Sequence, residues 1–367
     1  MASIKETQAA INKKYGANTI LTADSLPDVR KIALDIPAFD YVATGGFLVN
    51  HITEFYGPFS SLKSYLNYVA LGKFQKYDWA NNEPNAIRGV ERDKKGNITK
   101  ILLRRGYKPK NPPRYKQAAI VDLESSYVPS WGKRLGINNA ELLHLRPGSV
   151  NDAVDMTEAL LRSEDISFIF FDSMHIIGAD RESDSPMDKE LMAINAAFWN
   201  RATRKIMAAM NKNPENDITI SVVNGFYDKM GMVFGDPETT KNGNQMQLAR
   251  AVSFRTNALK VIKEGEIAVG RNVMIRNKKN KFGTPLLESS LYFSFIDDGE
   301  LEIGETNVLD QLIDIGLIQG LIERAGNSYM FQSLKAVGAE RFKKSLISNN
   351  MVDVLKEEVY KRINTVL

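Results

Sequence analysis

Three observations predict an α/β fold, a mostly parallel sheet with helices on both faces. Short apolar, β-branched runs recur: "QAAIVDLE" (117–124), "ISFIFFDSM" (166–174) and "ITISVVNG" (218–225). They show little alternation, as expected of strands buried on both faces. The helical stretches "VNDAVDMTEALLRS" and "MDKELMAINAAFWNRATRKIMAAMNK" separate them, so the order is strand–helix–strand repeated. The third observation is a strand, "HITEFYG", that enters a glycine-led loop and leaves it as a helix, "SYLNYVALGKFQKY".

The remaining elements follow in chain order. "SIKETQAAINKKY" (3–15) predicts a short helix that Ser3 caps, with Glu6 three residues on and Gly16 ending it. "NTILTA" after it reads as a strand or extended linker. "AIRGVERDKKGNITKILLR" predicts two strands joined at the Lys95–Gly96–Asn97 turn, with a proline-rich return at 109–113. This pair projects as an insertion in the strand–helix scheme. Residues 225–247, "GFYDKMGMVFGDPETTKNGNQMQ", are a long polar stretch containing glycine, and a loop of that length in a compact domain is usually functional. After about residue 297 the texture changes to amphipathic stretches, which predicts a small, mainly helical C-terminal domain.

Composition narrows the function classes. A chain of 367 residues with 43% hydrophobic and 25% charged residues is ordinary for a globular protein with more than one domain. No apolar run approaches the roughly 18 residues of a membrane span, and the start lacks a signal-peptide core, so a cytoplasmic protein without membrane contact is expected. Zero cysteines exclude disulfides and thiolate chemistry. His51, His144 and His175 form no ligand-spaced motif and are expected in structural or surface roles. Any metal is expected to be Mg²⁺ held by oxygens. The formal charge is +4, yet residues 81–117 hold 11 Lys/Arg against 3 Asp/Glu, a net of +8. One segment carries the basic excess, which points to a polyanion contact at one place.

"GPFSSLKS" (57–64) nearly spells the phosphate-binding loop G-x-x-x-x-G-K-[ST], with Leu62 where the last glycine belongs. A site that tolerates the change, a dead site and a chance match are all open at this point. Such a loop works because backbone N–H groups and a helix N-terminus converge on phosphate oxygens. Lys63 would reach the outer phosphates and Ser64 would hold Mg²⁺. "FIFFD" ends in Asp172, the type of carboxylate that helps hold Mg²⁺ through water, and "IVDLE" ends in Glu124, placed to activate water as general base. Leu62 removes conformational freedom and no ligand, since that position contributes backbone only.

The order of these pieces resembles the RecA family of DNA recombinases over nearly the whole chain. "ITEFYGPFSSLKS", "IVDLESSYVPSWGKRLGIN" and "FIFFDSM" are similar to its phosphate-loop, glutamate and aspartate segments. "GMVFGDPETTKNGNQMQLARAVSFR" (231–255) is close to its second DNA-binding loop, while "NKKNKFGTP" (277–285) and "LIDIGLIQGLIERAGNSYMF" (312–331) match further blocks in order. A bulky residue before "KS" resembles the phage UvsX branch, and that resemblance implies that Leu62 is a lineage variant and not a defect.

The resemblance implies a RecA-type phosphate-loop ATPase core with ATP and Mg²⁺ as cofactors. Gly57, Pro58, Phe59, Ser60, Ser61, Leu62, Lys63, Ser64 and Tyr65 would surround the triphosphate, with Ser64 and Asp172 at the metal and Glu124 as base. Trp131 falls where the family stacks an aromatic ring on adenine, and Pro285 joins the nucleotide set. Lys279 and Lys281 match lysines that reach ATP on the neighbouring subunit. Lys229, Met230, Gly231, Met232, Phe234, Thr239, Thr240, Lys241, Asn242, Gly243, Asn244 and Arg255 would bind DNA. The implied organisation is an N-terminal oligomerisation element (1–38), whose "GANTIL" docks onto the next protomer, a core (39–297) with the insertion 81–117 and DNA loop 225–247, and a C-terminal domain (298–367). The implied partners are single-stranded DNA, homologous duplex DNA, further copies in a helical filament, and single-strand-binding or mediator proteins. Two departures stand out. The family's asparagine–glutamine pair reads Asn224–Gly225, and the basic insertion is absent from typical bacterial members. A slowly turning-over filament scaffold and a helicase motor are the alternatives, the second disfavoured by "VFGDPETTKNGN".

Overall fold

A computed structural model describes residues 3–16, 20, 22–25, 28–174, 189–212, 217–228, 238–240 and 243–365. Met1–Arg30 form one compact unit and Lys31–Leu367 another. In the first, helix α1 (Ile4–Tyr15) carries the expected capping box: the Ser3 hydroxyl accepts from Glu6 N–H, and the Glu6 carboxylate accepts from Ser3 N–H. Asn12 and Gln8 bond the backbone of Ile20 and tie the chain back onto the helix.

The second unit opens with β1 (Lys31–Ile32), α2 (Pro37–Val42), β2 (Phe47–Leu48), β3 (Ile52–Tyr56) and α3 (Lys63–Gln75). The hairpin β4 (Ile87–Arg92) and β5 (Ile98–Leu103) follows, turning at Gly96 as the sequence predicts. Then come β6 (Gln117–Asp122), α4 (Pro129–Arg134), β7 (Leu142–Leu145), α5 (Val150–Leu161), β8 (Ile166–Asp172), α6 (Lys189–Lys212) and β9 (Thr219–Asn224). A short pair, β10 (Phe226–Asp228) with β11 (Glu238–Thr240), precedes α7 (Gly243–Ala249) and the long strands β12 (Val252–Glu264), β13 (Ile267–Asn280) and β14 (Glu288–Ser294).

One sheet of eight strands runs β14-β13-β12-β3-β9-β8-β6-β7. From β12 to β7 the pairing is parallel, while β13 and β14 add an antiparallel edge. Every residue of β3, β8 and β9 is buried. The period of two sorts them between two cores. Phe168 and Phe170 face Leu66, Ala70 and Phe74 of α3, whereas Ile169 and Phe171 face Val154 of α5 and Trp199 of α6. Helices therefore cover both faces, which is why these strands read as unbroken apolar runs.

The C-terminal part holds α8 (Val308–Ile318), α9 (Ala339–Ser348) and α10 (Val352–Thr365), with a three-stranded meander β15 (Glu323–Ala325), β16 (Ser328–Phe331) and β17 (Leu334–Val337) between them. Strands of three or four residues are too short to show a period, so the sequence pattern gave no sign of this sheet. Helix α2 joins this part to the core. Ala38 N–H donates to Gln311 Oε1, and the fully buried Asp40 accepts from Leu34 N–H (2.8 Å) and Tyr360 O–H (2.7 Å).

Burial pushes the Asp40 carboxyl up to about 7, opposed by the hydrogen bonds from Leu34 and Tyr360 and by Lys73, with Asp35 adding to the rise. A raised carboxyl stabilises the fold below the unfolded value near 4, and that stability is lost as pH rises through about 7. Asp40→Asn, which still accepts from Leu34 N–H, should unfold at higher urea than wild type above pH 7. The gap should close toward pH 4, its size bounded by about 4 kcal/mol at roughly 1.4 kcal/mol per pH unit. Equal pH profiles for the two proteins would refute the assignment.

Candidate active site

The C-terminal ends of the parallel strands frame a cavity of about 810 Å³. Its floor is the loop between β3 and α3, and Glu124, Asp172, Asn224, Gly225 and Arg271 line its walls. Gly57 opens the loop at φ 145°, where a Cβ would lie 2.0 Å from the Thr256 carbonyl oxygen of β12, so only glycine fits. Ser61 Oγ bonds the Pro58 carbonyl (2.7 Å) and Thr256 Oγ1 (2.8 Å), pinning the loop to that strand.

Leu62 has φ 66° and ψ 18°, the left-handed conformation that a glycine would adopt freely. A side chain there costs roughly 1–2 kcal/mol. Leu62 packs its side chain against the core on the α3 face, and that burial offsets the strain. The backbone path of a phosphate loop is thus kept without the glycine.

Lys63 begins α3. Its ammonium donates to the Gly57 (2.9 Å) and Pro58 (2.7 Å) carbonyls, and burial lowers its pKa against the pull of Asp172 and Glu124. Asp172, at the end of β8, has its carboxyl pushed up to about 7 by burial and then by Glu124; Ser64 and Tyr68 hydrogen-bond it and oppose the rise. Two residues beyond the end of β6, Glu124 is held by its backbone: Leu123 and Glu124 N–H both donate to the Asp172 carbonyl (2.8 and 3.2 Å). Asp122 shapes the turn by accepting from Ser126 and Tyr127 N–H, and Ser173 Oγ donates to Glu124 Oε1. His144 bonds Asp122 (3.0 Å) and His51 bonds the Val49 carbonyl (2.8 Å), both structural roles; His175 lies outside the described residues.

The group at the cavity is an oxygen set. Ser64 hydroxyl beside Asp172 carboxylate suits a hard cation such as Mg²⁺. Among the described residues no three His, Asp or Glu gather into a metal cage, so such a cation would draw its other ligands from phosphate and water. The loop cradle and Lys63 fit a polyphosphate of the ATP type.

Behind the cavity, Glu54 of β3 is fully buried and collects the neighbouring strands. Asn224 Nδ2 of β9 donates to its Oε1 (2.8 Å), Ser253 Oγ of β12 to its Oε2 (3.0 Å), and Arg250 pairs with Oε2. Arg250 also donates to Thr240 Oγ1 of β11 (3.2 Å), and burial lowers its pKa to about 10. Asn224, in the cavity wall, is therefore two side chains away from the segment resembling a DNA loop.

Not every sequence-predicted residue gathers here. Trp131 of α4 packs its ring over Gly304, Pro285 is exposed, and neither lines this cavity. Lys279 of β13 and Lys281 just after it instead donate to the Gln247 (2.7 Å) and Leu248 (3.1 Å) carbonyls at the end of α7. Arg255 lies in β12 with its guanidinium 5.8 Å from the Phe226 ring. Thr240 is buried; Lys229, Met230, Gly231, Met232, Phe234, Lys241 and Asn242 lie outside the described residues, as do the side chains of Thr239 and Asn244, while Gly243 starts α7. The structure adds residues the sequence reading missed. Arg271 of β13 donates to the Ser60 carbonyl (3.2 Å) with its Nε buried and unpartnered, and Phe226, Phe293 and Phe295 complete the wall. A lone arginine in a long strand carries no local motif that could have flagged it.

The model of the RecA N-terminal domain family matches residues 106–298. The chain is 27% identical to Protein RecA of Chlorobaculum parvum over 98% of this chain and 92% of that protein. It is 26% identical to Protein RecA of Leptospira meyeri, covering 92% and 74%. Against the crystal structure of the RadB recombinase the TM-score is 0.46 at 15% identity, covering 75% of this chain and 100% of that one.

The Glu54 cluster gives a direct test. Glu54→Gln leaves Arg250 buried without its counter-charge and should cost about 3–5 kcal/mol in urea unfolding. The apolar double variant Glu54→Leu/Arg250→Met should recover most of that loss. A double variant as unstable as Glu54→Gln would show that the charge pair is not what the cluster depends on.

Proposed function

The chain belongs to the RecA family, and from that premise we propose that it is an ATP-dependent DNA recombinase acting in recombination and repair. In this reading it coats single-stranded DNA as a helical filament and exchanges strands with homologous duplex, using ATP and Mg²⁺. One observation carries it: the phosphate loop, Glu124 and Asp172 converge at the same end of adjacent parallel strands around one cavity. The near full-length similarity to Protein RecA supports the recombination role.

The chemistry follows from the residues. Bound Mg²⁺ neutralises phosphate charge and aligns the outer phosphates. Lys63, which rests on two loop carbonyls, would exchange them for a bound nucleotide's phosphate oxygen, a stronger acceptor. Ser64 and Asp172 hold the cation side. Glu124 takes the proton of the attacking water, and Ser173, bonded to it, keeps the carboxylate aimed. Lys279 and Lys281 act on the nucleotide of the neighbouring protomer, as an arginine finger does. Leu62 before Lys63 supports a phage UvsX-like lineage. A slow filament scaffold is the second reading, and Gly225 favours it: this wall position has no side chain to report the state of the γ-phosphate to the DNA segment.

ATP hydrolysis measured with and without single-stranded DNA, together with a strand-exchange assay, separates the readings. Glu124→Gln should keep ATP affinity within a few-fold and lose hydrolysis by roughly 10²–10⁴-fold. Lys63→Ala should lose nucleotide binding itself. Hydrolysis at the wild-type rate in Glu124→Gln would remove the base assignment, and DNA-independent turnover without strand exchange would favour the scaffold. Gly225→Gln should widen the gap in single-stranded DNA affinity between ADP and a non-hydrolysable ATP analogue. A wide gap already present in the natural protein would place the sensor elsewhere.

A further inference from the structure

The β4–β5 hairpin and its return segment sit at the opposite end of the sheet from the nucleotide cavity. A cleft of about 280 Å³ is lined by Arg92, Gly96, Asn97 and Ile98 of the hairpin and by Tyr115, Gln117 and Asp165. Gln117 begins β6 and Asp165 immediately precedes β8, so the hairpin lies against the N-terminal ends of parallel strands. Arg92 clamps it there, donating from Nε to Glu141 Oε1 (2.8 Å) and from Nη2 to Oε2 (2.5 Å) just ahead of β7. The phosphate loop, Glu124 and Gly225 follow the C-terminal ends of their strands, and Asp172 ends its own.

The eleven cations of residues 81–117 divide into two groups. Arg92, Lys100, Arg104 and Arg114 are paired with Glu141, Glu91, Glu83 and Glu164, and Lys116 is buried 5.3 Å from the Trp79 ring centroid. These five build the element. Asp93 is spent on the turn, accepting from Lys95 and Asn97 N–H. The other six, Arg88, Lys94, Lys95, Arg105, Lys108 and Lys110, are exposed and have no acidic partner among the described residues. All three acids of the segment are thus consumed internally, and what remains outside is positive.

We propose that this hairpin is a second nucleic-acid surface, taking the phosphate backbone of duplex DNA at the face of the core opposite the candidate nucleotide site. Three features select that partner. A single strand is held by exposed aromatic rings on which bases stack, and the segment's aromatics are engaged: Tyr107 O–H bonds Asp78 and Tyr115 is buried. A protein interface needs apolar anchors at its centre, and the hairpin offers only Ile98 as an exposed large apolar side chain. The clamped ribbon carries Arg88 on β4, Lys94 and Lys95 at its turn and Arg105, Lys108 and Lys110 on its return, a spread of charge that suits a regular backbone read without sequence preference. Strands of six residues span roughly 20 Å, about six base pairs.

The surface needs neither nucleotide nor catalysis, so its test is independent of the recombinase reading. Anisotropy of a labelled 20-base-pair duplex and of a 20-nucleotide single strand is followed over a NaCl series, without nucleotide. The proteins are the full chain and Lys94→Ser/Lys95→Ser/Lys108→Ser/Lys110→Ser, each also carrying Lys63→Ala. The quadruple change should weaken duplex binding at least tenfold at low salt. It should flatten the log–log salt slope by up to about 3.6, at about 0.9 per phosphate, and leave the single-strand slope nearly unchanged. Introduced into a chain that keeps Lys63, the quadruple change should leave basal ATPase untouched. Unchanged duplex slopes would overturn the proposal and leave a solvated or protein-binding hairpin. Equal losses on duplex and single strand would also overturn it, merging the hairpin with the main DNA path.

Discussion

A carboxylate with no access to water, Glu54, is the interaction around which the core is organised. It lies in β3, the strand that runs into the phosphate loop, with β9 on one side and β12 on the other. Its two oxygens take Asn224, Ser253 and Arg250. An ionised group is tolerable there only because every oxygen is engaged by a donor and one donor is charged. The cluster therefore fixes the relative heights of three strand ends, and with them the loop, the cavity wall and the base of the segment after β9. Asn224 and Thr240 share this carboxylate through one arginine. The nucleotide wall thus reaches β11 by two routes, through the buried Glu54–Arg250 pair and through Phe226, which lines the cavity and pairs with Thr240.

Much of this architecture was legible in the sequence, for reasons that differ by element. The α1 cap could be read because Ser3 and Glu6 are close in sequence and their bonds are local. The hairpin was legible because Gly96 marks its turn. Asp172 and Glu124 could be read because they stand where apolar strands run out. Residues fixed by distant packing could not. Arg271 reaches Ser60 across 211 positions of sequence, and Trp131 finds Gly304 only after the sheet has closed. The meander β15–β17 is too short for a period, and Glu54 reads as an isolated acid in an apolar strand until its partners from β9 and β12 arrive.

Leu62 shows how a rule can fail locally and hold globally. The glycine of the usual motif serves the backbone, and the loop needs a left-handed residue before its lysine. Leucine supplies that conformation at a steric cost and recovers it by packing on the core. The motif is thus a statement about φ and ψ, and the letter is one way of meeting it. The same logic applies in the opposite direction at Gly225, where the backbone is kept and a side chain is lost. At Leu62 the main-chain contribution survives substitution because the side chain has room to pack, whereas at Gly57 it does not, since a Cβ would meet the Thr256 carbonyl.

A parallel sheet has two unlike ends, and this chain uses them for different work. At the C-terminal ends, loops leave the strands beside helix N-termini, so N–H groups accumulate and anions are received in a partly enclosed cavity. There cations are few, and Lys63, half-buried on two loop carbonyls, has its pKa lowered by burial against the pull of Asp172 and Glu124. At the N-terminal ends the backbone offers no such convergence, and positive potential has to be carried by side chains in open solvent. Those charges need a rigid support to act together, since long side chains on a mobile loop would lose entropy with each contact. The paired arginines of the hairpin provide that support, with Arg92 anchored on Glu141 and Arg104 on Glu83. The acids of the segment thus hold the ribbon in place and at the same time leave its outer face unopposed.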